Sequence, residues 1–179
     1  MKQINIGYID LRFGSQPKNI LKEIVLKYRE DQSNSWLNDI PTDNVFGAGS
    51  SIPITHSFKL KGINALSCFY LCGMFLPKLF TYIWGHTSFT VIEILYNHLS
   101  DFRDYSSYRE RIQWTLAQHR EKNIPFILLC RYQDEDTPNL TFAHQVLNLQ
   151  SSDSFMFYLS GDVDTVADAL AHKINQTRE

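Results

Sequence analysis

The sequence is short of several things, and each shortage removes a class of protein. It has only three cysteines, Cys68, Cys72 and Cys130. An odd count at irregular spacing gives no disulfide framework, so the thiols are expected to be reduced, as in a cytosolic protein. It has no excess of one charge: 17 basic residues meet 19 acidic ones, for a net charge of −2. That balance argues against a protein held to nucleic acid by counterion release. No repeat or low-complexity stretch occurs. The opening run MKQINIGYIDLRFG is not expected to be a signal peptide, because Asp10 and Arg12 interrupt its apolar core. The six histidines (residues 56, 86, 98, 119, 144 and 172) fall at no metal-ligand spacing. Cys68 and Cys72 share a strand face too far apart for easy joint ligation. No metal site is expected; the histidines read as surface residues and the thiols as core.

What remains is an ordinary globular composition, 44% hydrophobic and 20% charged over 179 residues. This length suits one domain, 1–179, with a core large enough to need no staple. Ile4–Ile9 reads as a buried strand. Pro17 suits a helix start, and Ile20, Leu21, Ile24, Val25 and Tyr28 recur at helical spacing. Residues 31–51 are polar and read as a long loop. Ile52–Lys61 alternates, Gly62 turns, and Asn64–Leu71 follows as the second arm of a hairpin. Thr87–Leu95 is apolar except for Glu93. Tyr105–Lys122 is amphipathic, with Tyr108, Ile112, Leu116 and His119 on one face. Ile124–Cys130 has the unbroken apolar character of a strand covered on both sides. A helix over Thr141–Leu149, a strand over Ser154–Leu159 and a helix capped by Asp162 or Asp164 complete the chain. Strands alternating with helices predict an α/β, three-layer domain, its sheet mostly parallel with one antiparallel edge strand from the early hairpin.

This order resembles the Ras-like small GTPases, and four stretches carry the resemblance. After the first strand comes Asp10-Leu11-Arg12-Phe13-Gly14-Ser15-Gln16. Gly14 matches the second glycine of the family's phosphate loop, while Ser15 stands in place of its lysine and Gln16 in place of its magnesium-binding hydroxyl. Asp10 adds negative charge there, and Lys18 is nearby but out of register. In FYLCGMF, Gly73 matches the glycine of Asp-x-x-Gly, Tyr70 replaces the aspartate and Met74 the water-positioning glutamine. In CRYQDED, Arg131 and Tyr132 replace Asn-Lys, and Asp134 keeps the base-reading position. In FMFYLSGD, Ser160 matches the serine of the last loop. Within the superfamily the pattern is most similar to the bacterial polarity GTPases that pair with roadblock-type proteins.

The resemblance implies a small-GTPase-like fold of P-loop NTPase type that has lost its chemistry. It implies no catalytic residue and no cofactor, and a degenerate nucleotide site at Gly14, Ser15, Gln16, Lys18, Gly73, Asp134 and Ser160. The apolar run Met74, Phe75, Leu76, Leu79, Phe80, Tyr82 and Trp84 then reads as a partner surface. The partner would be a protein, of roadblock type or another GTPase-like subunit, or a second copy of the chain. The alternative is an active protein binding GTP or GDP with magnesium through Lys18 and Asp134. A further alternative places residues 63–84, nearly uncharged and long enough to span a bilayer, at a membrane, although Gly73 and Pro77 break the run. Cys130, at the end of a parallel strand, is a candidate nucleophile, with core packing as the plainer account.

Overall fold

A computed structural model describes residues 4–12, 20–28, 54–71, 85, 87–100 and 106–178. The elements are β1 (Ile4–Asp10), α1 (Ile20–Tyr28), β2 (Ile54–Leu60), β3 (Ile63–Leu71), β4 (Phe89–Leu95), α2 (Tyr96–Ser100), α3 (Ser106–Glu121), β5 (Phe126–Tyr132), α4 (Leu140–Leu147), β6 (Phe155–Leu159) and α5 (Val163–Gln176). The strands form a six-stranded sheet in the order β2-β3-β1-β4-β5-β6. All neighbouring pairs are parallel except β2 with β3. That pair is a hairpin closed by Lys61 and Gly62, both at positive φ (47° and 86°), the backbone that a two-residue turn requires.

Alternation along the strands sends side chains to two cores. On one face Ile6, Phe89, Val91, Ile127 and Leu129 pack under α1 and α5, against Ile20, Ile24, Val166 and Leu170. On the other Ile9, Ile92, Ile94, Leu128 and Cys130 pack under α2, α3 and α4, against Leu99, Tyr108, Ile112 and Leu147. The domain is therefore three layers, α/β/α. The two best-defined helix starts are capped: the Asn139 side chain accepts from the Phe142 N–H at α4, and that of Asp162 from the Thr165 N–H at α5.

Several expectations need correction. β5 begins and ends two residues later than the apolar run, taking in Arg131 and Tyr132. α2 was not foreseen, because its five residues YNHLS carry no start signal or period. Residues 63–71 are strand, paired with both β1 and β2, so 63–84 is not one membrane-spanning helix. No helix among the described residues is long and apolar enough to cross a membrane. The long loop over 31–51, and the stretch 75–84, whose sequence reads as a short irregular helix, lie outside the described residues. Finally, His119 is not at the surface but completely buried.

His119 closes α3 against the sheet. Its Nδ1–H donates to the Thr115 carbonyl at 2.8 Å, and its ring meets Phe126 edge-on. Burial lowers its pKa from 6.5 to about 4, with the bond to Thr115 opposing the shift. The native state thus resists a proton that the unfolded chain accepts. This stabilisation is complete above about pH 6.5 and is lost as pH falls toward 4, reaching about 3 kcal/mol. Urea titrations between pH 7.5 and 4 should show His119→Leu losing less stability than wild type over that window; parallel curves would refute the assignment.

Candidate functional site

On the α1/α5 face the strands are apolar at their N-terminal ends and polar at their C-terminal ends. Parallel register brings those ends to one level: Asp10 lies opposite Glu93, and Glu93 opposite Leu129. Tyr8 and Asp10 on β1, Glu93 on β4, Arg131 on β5 and Tyr158 on β6 therefore share one layer, at the carboxyl edge where α/β domains place their sites.

Glu93 is the centre of that layer and is fully buried. Its Oε2 accepts from the Tyr8 hydroxyl and, at 3.1 Å, from the N–H of Ile20, the first described residue of α1. Its Oε1 accepts from the Tyr158 hydroxyl and lies 2.8 Å from Nη2 of Arg131. Arg12 adds Nη1 at 3.6 Å and turns its other edge to Asp10, which it binds through Nε at 2.8 Å and Nη2 at 2.6 Å. Arg131 also donates through Nε to the Tyr158 oxygen at 2.6 Å and stands 3.6 Å from Glu23 of α1. Two guanidinium groups thus meet two fully engaged carboxylates, with Glu23 at the margin.

The electrostatics follow from the packing. Burial, with Asp10 and Glu93 close by, pushes the Tyr8 phenol well up; burial and Glu93 do the same to Tyr158. Both hydroxyls stay protonated and act as donors. Burial works against the charge on Arg12 and Arg131, but the neighbouring anions outweigh it and hold both guanidinium groups above their ordinary value. Most polar atoms of the layer are hydrogen-bonded within it, whereas Nη2 of Arg131 and Oε2 of Glu23 are buried with an ion-pair contact but no hydrogen bond. Cys130 faces the opposite core, and burial pushes its thiol up, which makes it inert. No cluster of metal-ligating side chains occurs among the described residues.

Of the residues singled out by sequence, Asp134 and Ser160 are placed. Both are exposed and follow the ends of β5 and β6, which pair at Tyr132 and Leu159. The Ser160 N–H donates to the Tyr132 carbonyl at 3.0 Å. The two therefore sit on the same edge of the sheet. Gly14, Ser15, Gln16, Lys18, Gly73, Met74, Phe75, Leu76, Leu79, Phe80, Tyr82 and Trp84 lie outside the described residues.

Sequence reasoning missed the role of Glu93 and Arg131, treating one as an interruption and the other as a lost motif position. A usable signal existed: single charges near the C-terminal ends of three apolar strands, Asp10, Glu93 and Arg131, which a parallel sheet must bring together. No family model matches the chain, and no curated protein resembles it significantly.

Removing Glu93 leaves buried cations and a helix N–H without their acceptor. Glu93→Ala is expected to cost roughly 3–5 kcal/mol in chemical denaturation, the range for breaking one side of a buried ion pair. Tyr8→Phe, which removes one donor to a carboxylate, should cost about 1–3 kcal/mol. Losses near zero for both would show that the layer does not bear on stability.

Proposed function

We propose that this chain is a small-GTPase-like domain that neither binds nor hydrolyses nucleotide and serves as a protein-interaction module. The observation that carries this reading is the Glu93 carboxylate at the N–H of Ile20. In a phosphate-binding domain of this layout, the start of the helix after the first strand receives the anion, because its N–H groups point outward and its dipole is positive. Here an internal carboxylate takes that N–H. Asp10 adds a second negative charge at the end of β1, and Arg12, which could have met a phosphate, is clasped by Asp10.

These residues do not suit a triphosphate. A nucleotide brought here would face two fixed carboxylates, and the cations that could offset them are already neutralised. Ser15 and Gln16, where the resembled family has lysine and a magnesium-binding hydroxyl, support the same conclusion. The sheet, with five parallel strands and one antiparallel edge strand, supports the family reading at the level of architecture. The interaction role rests on the apolar run from Met74 to Trp84, which a domain with no phosphate to sense can present in one fixed state to a roadblock-type or GTPase-like partner.

One observation favours the alternative of a divergent nucleotide-binding protein: Asp134 and Ser160 stand exposed on neighbouring strand ends. Calorimetry separates the two. Titration of GTP and GDP with magnesium into the purified protein should give no heat of binding, and the deproteinised sample should show no nucleotide absorbance. Micromolar or tighter binding, weakened by Asp134→Ala, would establish the alternative and end the first reading.

A further inference from the structure

We infer that the free edge of β6 pairs with the same edge of a second copy of this chain, continuing the sheet across a two-fold axis. β6 ends the sheet, and among the described residues no strand lies beyond it. Its ladder to β5 is anchored by Leu128 N–H to the Ser154 carbonyl and by Ser160 N–H to the Tyr132 carbonyl. The alternation of a parallel ladder then turns the N–H and C=O groups of residues 156 and 158 toward β5 and those of Phe155, Phe157 and Leu159 away from it. Of these outward groups, the Leu159 carbonyl accepts from the Asp162 N–H.

That pattern of donors and acceptors is complementary to itself. Antiparallel pairing centred on Phe157 sets Phe157 against Phe157 of the second copy, exchanging both hydrogen bonds, and sets Phe155 against Leu159 in each direction. The short strand FMFYL is apolar and without charge. Edge strands are ordinarily guarded by charge or proline. The opposite edge follows that rule, with Lys59 exposed on β2. β6 has no such guard.

The surroundings of the edge point the same way. From Thr137 to Gly161 the only Asp, Glu, Lys or Arg is Asp153. That one is buried and paired with Arg120, so it presents no charge outward. α4 carries none at all. The exposed His144 of α4 meets the Phe155 ring edge-on at 6.2 Å, and Leu140, one turn earlier on the same helix face, is 55% exposed. α4 and β6 therefore form one uncharged surface, and burying it costs no charge desolvation. A five-residue strand alone offers less than the roughly 800 Å² per partner of a standard interface, so the contact includes the outward side of α4. The inference stands whether or not the domain binds nucleotide.

The test uses the full chain. Sedimentation velocity across micromolar concentrations should show a monomer–dimer equilibrium. Hydrogen exchange at the Phe155 and Phe157 amides should slow as concentration rises. Leu140→Lys, at an exposed position, should keep the fold by circular dichroism and raise the dimer dissociation constant about tenfold or more, because the two-fold brings like charges together. Asn175→Lys, exposed on α5, should leave the dimer intact. A monomer at every concentration, exchange at residues 155–157 that ignores dilution, or a dimer weakened equally by both lysines or by neither would overturn the inference.

Discussion

Burying a carboxylate without water is the constraint around which this domain is arranged. Glu93 has no exposure, and an isolated charge in that position would be prohibitive. It is tolerable because three strands, a helix and the segment after β1 each bring something to it: Tyr8 from β1, Arg131 from β5, Tyr158 from β6, the Ile20 N–H from α1 and Arg12 after β1. These contributions fix geometry that hydrophobic packing leaves loose. A sheet of Ile, Val and Leu can slide by two residues and keep its apolar faces, since the side-chain period is two. Such a slip between β1 and β4 or between β4 and β5 would carry Glu93 away from Tyr8 or from Arg131. The apolar layers drive the strands together, and the polar layer selects the register.

The same physics explains what could be read from the sequence and what could not. Period and run length exposed the strand and helix order, because burial on one or both faces writes itself into local pattern. The face of α3 formed by Tyr108, Ile112, Leu116 and His119 is a case in point, and all four are buried. Propensity gave nothing for α2, whose Tyr96 is held from a distance: its hydroxyl donates to the Thr137 carbonyl and accepts from the Asn139 N–H. The end of β5 was misjudged because Arg131 looks like the first solvated residue after an apolar run. It continues the strand because a carboxylate waits inside on the neighbouring β4. His119 lies on the face that the period marks as buried although its residue type suggests the surface, and the Thr115 carbonyl, one turn back, accepts the Nδ1–H hydrogen bond that makes its burial tolerable. In each case the deciding partner is either distant in sequence or a backbone atom, and neither leaves a local trace. The candidate site was the least legible part for that reason: every contact of Glu93 spans long stretches of chain.

The network also limits what the carboxyl edge of the sheet can do. A binding site at this edge needs donors or acceptors that are held in place yet unsatisfied until ligand arrives. Here the holding and the satisfying are done by the same groups. Arg12 is fixed by the carboxylate that neutralises it, and the α1 N–H is oriented by the residue that takes its hydrogen bond. An anion taken up at the Ile20 N–H would have to displace Glu93, whose carboxylate would then need another partner within the sheet.

Among the described residues one surface is poor in charge, the α4/β6 edge. Charge is what ordinarily keeps soluble domains apart, through hydration that must be stripped before contact. The rest of the described surface follows the usual rule, with Lys27 paired to Asp164 and Lys61 to Asp168 around α1 and α5. Along 137–161 the single charge is turned inward to Arg120, where it ties the turn before β6 to α3. Asp153 also accepts from the Gln150 N–H, so it shapes the turn that delivers β6 to the sheet. The residue that builds the edge is thus the same one that withholds its charge from it.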